Sequence, residues 1–399
     1  MNGQPIHWTG EKFSIQFKAL PPLGLYIHIP WCVKKCPYCD FNSHEVRGPL
    51  SEKAYVEALL ADFEQALPKI WGRRISSIFF GGGTPSLFSA ESIDDILCGV
   101  RARLPVNPGA EVSLEANPGT LEKGRFKAYR DAGVNRLSLG IQSFNPKFLK
   151  QLGRIHDGEE ARKAVLAAAS CFDNFNLDLM YGLPGQTPEE AIEDFKVALS
   201  FEPKHLSAYH LTIEPNTYFH RFPPALPDED VAEQMQTEIE LLAQSCGYDN
   251  YETSAFAKPD FRCQHNMNYW TFGDYVGIGA GAHGKISYPD SIERETRYRQ
   301  PKQYIEKALG GGALEQSQSI SAREVGFEFM MNALRLQGGF DVALFADRTG
   351  LSIANLRQPL ALAEARGFIL RDHLRVTPTH LGRRFLNDLL QIFLPEKKS

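Results

Sequence analysis

Short apolar runs alternate with longer amphipathic stretches through the first half of the chain. Strand-like runs lie at 24–29 (GLYIHI), 75–80 (ISSIFF), 110–116 (AEVSLEA), 134–141 (VNRLSLGI), 175–181 (FNLDLMY) and 205–211 (HLSAYHL). Helical patterns fill the gaps at 51–70, 90–104, 121–132, 157–170 and 188–200. This β-then-α rhythm predicts parallel strands joined by helical crossovers. Both faces of the strands are partly apolar, as expected when helices cover one side and a core or site the other. The unusual chemistry sits at strand ends: GGGTP follows 75–80, EANP closes 110–116 and GIQSF closes 134–141. Barrels and open α/β proteins place their sites at that rim. The expectation is an α/β barrel or partial barrel, with a flat doubly wound sheet as the alternative.

After residue 214 the rhythm changes. A proline-rich loop (EPNTYFHRFPPALPDED) leads to a helix at about 229–246, a strand-like YDNYETSAF and an aromatic, glycine-rich stretch over 261–289. Residues 290–320 read as a linker with a short helix, ending at Gly310–Gly312. The last part reads as helices 322–336, 341–349 and 353–366, a β-like pair in FILRDHLRVT and a helix over 378–393. That is the order of a winged-helix-like module. Helix 353–366 carries only Arg357 and Arg366, too few for a DNA-reading helix, so an interaction or lid module is expected and no nucleic-acid partner. The predicted divisions are an N-terminal arm (1–22), an α/β barrel (23–255), an extension and linker (256–320) and a C-terminal domain (321–399).

Composition adds bounds. The 399 residues, 43% hydrophobic and 23% charged, describe an ordinary folded protein that needs no disulfides to build a core. A net charge of −5 argues against a surface made for phosphate backbones. No run approaches the ~18 apolar residues of a membrane span. The first twenty residues lack the charged start and apolar stretch of a signal peptide. The cytoplasm is the expected location, and a peripheral membrane contact stays compatible with the sequence.

Of seven cysteines, Cys98, Cys171 and Cys246 stand alone and are expected to be small buried apolar groups. Cys32, Cys36 and Cys39 are clustered, spaced Cys-x3-Cys-x2-Cys in the loop after the first strand. A zinc site would need His28 or His44 as a fourth ligand. A redox pair of Cys36 and Cys39 would leave Cys32 unexplained. A four-iron cluster uses all three thiolates and keeps one iron without a protein ligand. Lys34 and Lys35 between the cysteines would offset its negative charge.

The cysteine loop after the first strand, with GGGTP after the second, resembles the radical S-adenosylmethionine superfamily. From Tyr26 to the C-terminal module the chain resembles its coproporphyrinogen-III-oxidase-like branch. The resemblance implies a partial (β/α)6 barrel followed by a small, mostly α, winged-helix-like C-terminal module. It implies that the open iron of a [4Fe-4S] cluster held by Cys32, Cys36 and Cys39 chelates the methionine end of S-adenosylmethionine. An electron passed through the cluster, from a cytosolic donor, then cleaves the sulfonium to a deoxyadenosyl radical. Tyr26, the Tyr38 backbone, Gly82, Gly83, Thr84, Glu115, Gln142, Arg154 and Asp178 match the cofactor-contacting positions. Their chemistry agrees: a glycine loop admits close backbone approach, Glu115 and Asp178 accept from hydroxyls or an ammonium, and Arg154 pairs with a carboxylate.

Two departures bear on substrate. The oxidases of this branch carry a further cysteine two positions after the third, where this chain has Phe41, and a longer extension before the motif. Residues 265–270, HNMNYW, are similar to the His-Asn-x-x-Tyr-Trp signature of the heme chaperone family, which implies heme as a ligand and an acceptor hemoprotein as a partner. His265 offers an imidazole, Tyr269 and Trp270 flat faces, and Cys263 a second soft ligand. Taken alone, the motif reads more readily as a histidine satisfied within an aromatic turn. His283, in GIGAGAHG, is a weaker candidate. The expected function is a heme chaperone, with no catalytic residue assigned. The alternative is oxygen-independent conversion of coproporphyrinogen III to protoporphyrinogen IX.

Overall fold

The computed structural model describes residues 14–120 and 123–395. Six parallel strands build the frame: β1 (Leu23–Ile29), β2 (Ile75–Gly82), β3 (Val106–Ala116), β4 (Arg136–Gln142), β5 (Phe175–Tyr181) and β6 (His205–His210). They lie side by side in chain order, each pairing with the next. A doubly wound sheet requires the order to reverse; here it does not, and the partial barrel stands. The crossover helices are α1 (Glu52–Ile70), α2 (Ala90–Arg103), α3 (Lys123–Asp131), α4 (Gly158–Ala169) and α5 (Pro188–Leu199). Capping boxes at Asp157/Glu160 and Thr187/Glu190 start α4 and α5 by satisfying free backbone N–H groups. The strands' apolar residues and the inner faces of these helices share one core.

Helix α6 (Glu229–Ser245) leads to a hairpin, β7 (Asp249–Glu252) and β8 (Ala255–Ala257), that extends the sheet beyond β6. Beyond it come α7 (Gln264–Trp270), β9 (Asp274–Ile278), β10 (His283–Tyr288), β11 (Ser291–Arg297), α8 (Pro301–Leu309) and β12 (Leu314–Ser319). β9 runs parallel to β1, and β10, β11 and β12 follow antiparallel, giving a twelve-stranded sheet. Residues 290–320 are therefore sheet and helix, not a linker. Buried ion pairs secure the join: Asp274 meets Lys285 at 2.8 Å and Arg73, just past α1, at 2.8 Å, while Arg297 reaches Asp62 at 3.2 Å. Breaking such a pair leaves an uncompensated buried charge, so the extension is fixed to the barrel.

The C-terminal module has its own apolar core around α9 (Ala322–Ala333), α10 (Val342–Thr349) and α11 (Arg357–Ala365). Phe340–Asp341 joins the expected β pair as a third strand. The helix expected over 378–393 breaks at Phe385 into His380–Arg384 and Leu386–Gln391. Ile15 is buried in this core, and the Gln16 N–H donates to Gly350 O at 3.0 Å, so the end of the N-terminal arm belongs to the module. Among the described residues no helix is long and apolar enough to cross a membrane.

Candidate functional site

The register of the sheet sets the site. Ile29, the last residue of β1, pairs with Gly82 at the end of β2, so the cysteine loop leaves the sheet beside the glycine loop. Gly83 N–H donates to Ile29 O at 2.8 Å and Thr84 N–H to Trp31 O at 2.7 Å. A Cβ on Gly83 would lie 2.5 Å from Trp31 O, closer than carbon tolerates. The glycine is needed for this approach of one loop to the other. With Gly82 N–H given to Glu115 Oε2 at 3.2 Å, the loop's donors are committed internally. A ligand ammonium would be met by carbonyls and by Glu115.

Each clustered sulfur has a donor beside it. Thr84 Oγ1 reaches Cys32 Sγ at 3.5 Å and Arg154 Nη1 reaches Cys36 Sγ at 3.6 Å; Ser43 Oγ lies 3.7 Å from Cys39 Sγ. Burial pushes the Cys32 and Cys39 thiols above their ordinary range. Among the described residues no three His, Cys, Asp or Glu side chains converge as they would around a single ion. Thiolates that each bind a different iron of one cluster need not converge so closely. Cys98 and Cys246 are exposed, contrary to the expectation of burial.

Arg154 lies over the loop. Its Nη2 donates to Gly140 O at 2.6 Å, and its buried Nε has no partner among the described residues. Burial opposes its charge, but Tyr38 and Cys36 beside it hold the guanidinium above its usual range. Gln142 takes φ 67°, a left-handed conformation uncommon outside glycine, at the end of β4. A Cβ on Gly140 would sit 3.2 Å from Gln142 Nε2 and 3.4 Å from Arg154 Nη2, so both side chains occupy the space that glycine leaves. An orphaned guanidinium nitrogen beside a glycine-lined recess suits a carboxylate-bearing ligand.

Glu115 and Asp178 form the acidic wall. Register places Glu115 opposite Ser138, whose hydroxyl donates to Asp178 Oδ2 at 3.0 Å; Asn176 Nδ2 donates to Asp178 Oδ1 at 2.8 Å. Burial, and then the Asp178 charge, push Glu115 up to about 8. Asp178 is raised too, chiefly by burial. Two buried carboxyls that feel each other's charge favour the protonated form. Tyr26 O–H donates to His28 Nδ1 at 3.0 Å, because His28 Nε2 must donate to Asn42 O at 2.9 Å. That pairing, unforeseen in the sequence, carries the cysteine loop on β1. Tyr38 sits half-buried in an apolar cluster with Phe148 and Leu152.

HNMNYW forms α7, packed on β1 and β2. His265 is 1% exposed: Nδ1 bonds Ser77 Oγ at 2.9 Å, Nε2 bonds Tyr269 O–H at 3.0 Å, and burial holds the ring neutral, down to about 3. Both ring nitrogens of His265 therefore have hydroxyl partners in this structure. Cys263 is likewise buried, its thiol donating to Glu111 at 3.4 Å and pushed up to about 12 by burial. Trp270 stacks under the Arg335 guanidinium at 4.4 Å. Tyr269 instead faces a cavity of about 530 Å³, shared with Phe41 and Tyr26 of the barrel and His283 of the extension. Nothing in the spacing of the motif signals that it reaches the cluster loop through Tyr269.

Residues 26–198 match the model of the Radical SAM superfamily, and residues 320–385 that of the HemN C-terminal domain. The chain is 49% identical over 381 residues to the heme chaperone HemW of Escherichia coli (strain K12), which covers 94% of this chain and 99% of the relative. It is 47% identical over 384 residues to that of Haemophilus influenzae, covering 95% and 99%. At 33% identity over 381 residues, the heme chaperone HemW of Bacillus subtilis covers 93% and 99%. Coproporphyrinogen III oxidase (HemN) from Escherichia coli, a radical SAM enzyme, superposes with a TM-score of 0.79 at 24% identity, over 94% of this chain and 90% of that one, a likeness of fold. Matched over nearly its whole length at such identity, the chain belongs to the heme chaperone HemW family of the radical SAM superfamily.

Proposed function

We propose that this protein binds heme and hands it to an acceptor hemoprotein, while its cysteine loop holds a [4Fe-4S] cluster with S-adenosylmethionine beside it. The observation that carries the heme reading is the cavity walled by Tyr269 of HNMNYW and by Phe41, 64% exposed, directly after the cysteine loop. Its volume and aromatic walls suit a flat, largely apolar ligand. The names of the relatives at 49% and 47% identity agree with it.

The residues of the cysteine loop and strand ends fit the second cofactor. Bound there, S-adenosylmethionine supplies a sulfonium that one electron can cleave. Arg154 would face its carboxylate, and the glycine-loop carbonyls its ammonium. Glu115, Gln142 and Asp178 would line the path toward the ribose, and Tyr26 and Tyr38 would shield the pocket from water. Thr84, Arg154 and Ser43 tune the sulfurs through their hydrogen bonds.

The test is anaerobic cluster reconstitution followed by heme titration and an assay for 5′-deoxyadenosine. Saturable heme binding at one site supports the chaperone reading, and its absence removes it. The oxidase reading is favoured only by the fold. Supplying coproporphyrinogen III, reductant and S-adenosylmethionine to cluster-loaded protein decides it: protoporphyrinogen IX would replace the chaperone reading with an enzymatic one.

A further inference from the structure

Helix α7 starts without a cap of its own: Cys263 stands at the N-cap position and its side chain accepts nothing from the helix. The cap comes from β3, 153 positions before Gln264. There the buried Glu111 carboxylate accepts from the N–H groups of Gln264 at 3.1 Å and His265 at 3.2 Å, and from the Cys263 thiol at 3.4 Å. Arg136, first residue of β4, lies 3.8 Å from Glu111 as its buried counter-ion. Gly24 and Ser77, near the starts of β1 and β2, meet the His265 ring. The helix that carries HNMNYW thus packs at the end of the barrel away from the cysteine loop.

A hydrogen-bonded column inside the barrel joins that end to the acidic wall. Cys263 N–H donates to Tyr251 Oη at 3.4 Å, and Tyr251 O–H to His205 Nε2 at 2.8 Å. His205 Nδ1–H donates to Asn176 Oδ1 at 2.6 Å, and Asn176 Nδ2 to Asp178 Oδ1 at 2.8 Å. The directions follow from Asn176, whose Nδ2 also serves Ser138 Oγ at 2.7 Å and whose oxygen also accepts from Ser207 at 3.2 Å. Burial keeps His205 neutral, so one ring nitrogen donates and the other accepts. Tyr251, His205 and Asn176 are all buried, and every donor points toward Asp178.

Bonds in such a chain polarise one another. Burial presses Asp178 toward its neutral form, and a ligand that brings it positive charge or a hydroxyl donor favours the carboxylate. The carboxylate draws harder on Asn176. Through His205, the Tyr251 oxygen then becomes a better acceptor for Cys263 N–H. The start of α7 is held more firmly before heme arrives, and less ordering entropy is lost when it binds.

Resting on the heme and S-adenosylmethionine reading above, we propose that this column couples the two sites. S-adenosylmethionine on the Asp178 side raises the affinity for heme at the HNMNYW helix, and heme raises that for S-adenosylmethionine by the same factor. Asn176, His205 and Tyr251 are positioning residues that act through Asp178 and Cys263.

The experiment is hemin titration of cluster-reconstituted protein without reductant, followed by the Soret band, with and without saturating S-adenosylmethionine. The panel is wild type, Tyr251→Phe and Tyr248→Phe; the last removes a hydroxyl bonded to Pro203 O, outside the column. The readout is the ratio of the two dissociation constants, which a general loosening of the fold does not move. The expected ratio is several-fold in wild type and Tyr248→Phe, and near one in Tyr251→Phe. Hydrogen exchange of the wild-type Cys263, Gln264 and His265 amides needs no variant, and S-adenosylmethionine should slow it; should Tyr251→Phe not fold, this measurement decides alone. A wild-type ratio of one, a ratio kept in Tyr251→Phe or lost in both variants alike, or exchange indifferent to S-adenosylmethionine overturns the coupling while leaving heme binding intact. Wild-type protein that fails to bind hemin overturns the chaperone reading itself, and this inference with it.

Discussion

Glu115→Gln separates a residue kept for a ligand from one kept for the fold. The Glu115 carboxyl is pushed from an ordinary value of 4.5 up to about 8 in the folded protein, first by burial and then by Asp178. Between those values the unfolded chain gives up this proton and the folded one keeps it. Stability from this group is therefore intact below pH 4.5 and falls as pH rises toward 8. The slope is about 1.4 kcal/mol per pH unit. The substituted amide would keep an oxygen for the Gly82 N–H without titrating. From about pH 5 to about pH 7.5 the variant should gain about 3 kcal/mol over wild type. Thermal unfolding of cluster-free protein by circular dichroism across that range measures it. The same substitution should weaken S-adenosylmethionine binding, because a neutral amide cannot answer a cation. A difference in Tm that stays constant or shrinks with rising pH would refute the reasoning.

The same geometry bears on cofactor, cluster and fold. S-adenosylmethionine affinity for cluster-loaded protein should rise with pH up to about 8 and level off, since binding a cation beside Glu115 expels its proton; calorimetric titration in wild type and Glu115→Gln checks this, and the slope should vanish in the variant. Cluster assembly should release protons into weakly buffered solution, because burial keeps Cys32 and Cys39 as thiols until metal binds; a pH indicator read during reconstitution reports it. Gly83→Ala should lower cluster loading severely, since its Cβ strikes the Trp31 carbonyl; iron and sulfide content per chain give the answer. His265→Leu should cost on the order of 2–4 kcal/mol by stranding the Ser77 and Tyr269 hydroxyls, measured by urea unfolding.

The barrel was legible because its strands are buried on both faces and its helices amphipathic, so each period was plain. β1, with every residue but Tyr26 buried, reads from GLYIHI directly. The extension was hidden for the opposite reason. β11 (SIERETR) and β12 (LEQSQS) lie toward the sheet's edge, where half or more of each strand meets solvent and charge is tolerated. β9 and β10 are obscured by Gly277 and Gly284, which serve close strand approach. At the site, spacing alone brought out Cys32, Cys36 and Cys39, and the strand-end pattern brought out Glu115 and Gln142. The fate of His265 was out of reach of sequence: its partners, Ser77 and Tyr269, lie on different elements, and the first is 188 positions away. The same holds for the orphaned Arg154 nitrogen, which only packing creates.

The central claim is that heme is held in order to be given away. Its most direct test loads cluster-reconstituted protein with heme, removes the excess, and mixes it with a heme-free acceptor hemoprotein whose holo spectrum is distinct. The account predicts that the acceptor's spectrum appears, faster than from free hemin trapped under the same conditions, while this protein loses its own Soret band. Heme that stays on this protein, or reaches the acceptor no faster than free hemin does, would contradict it.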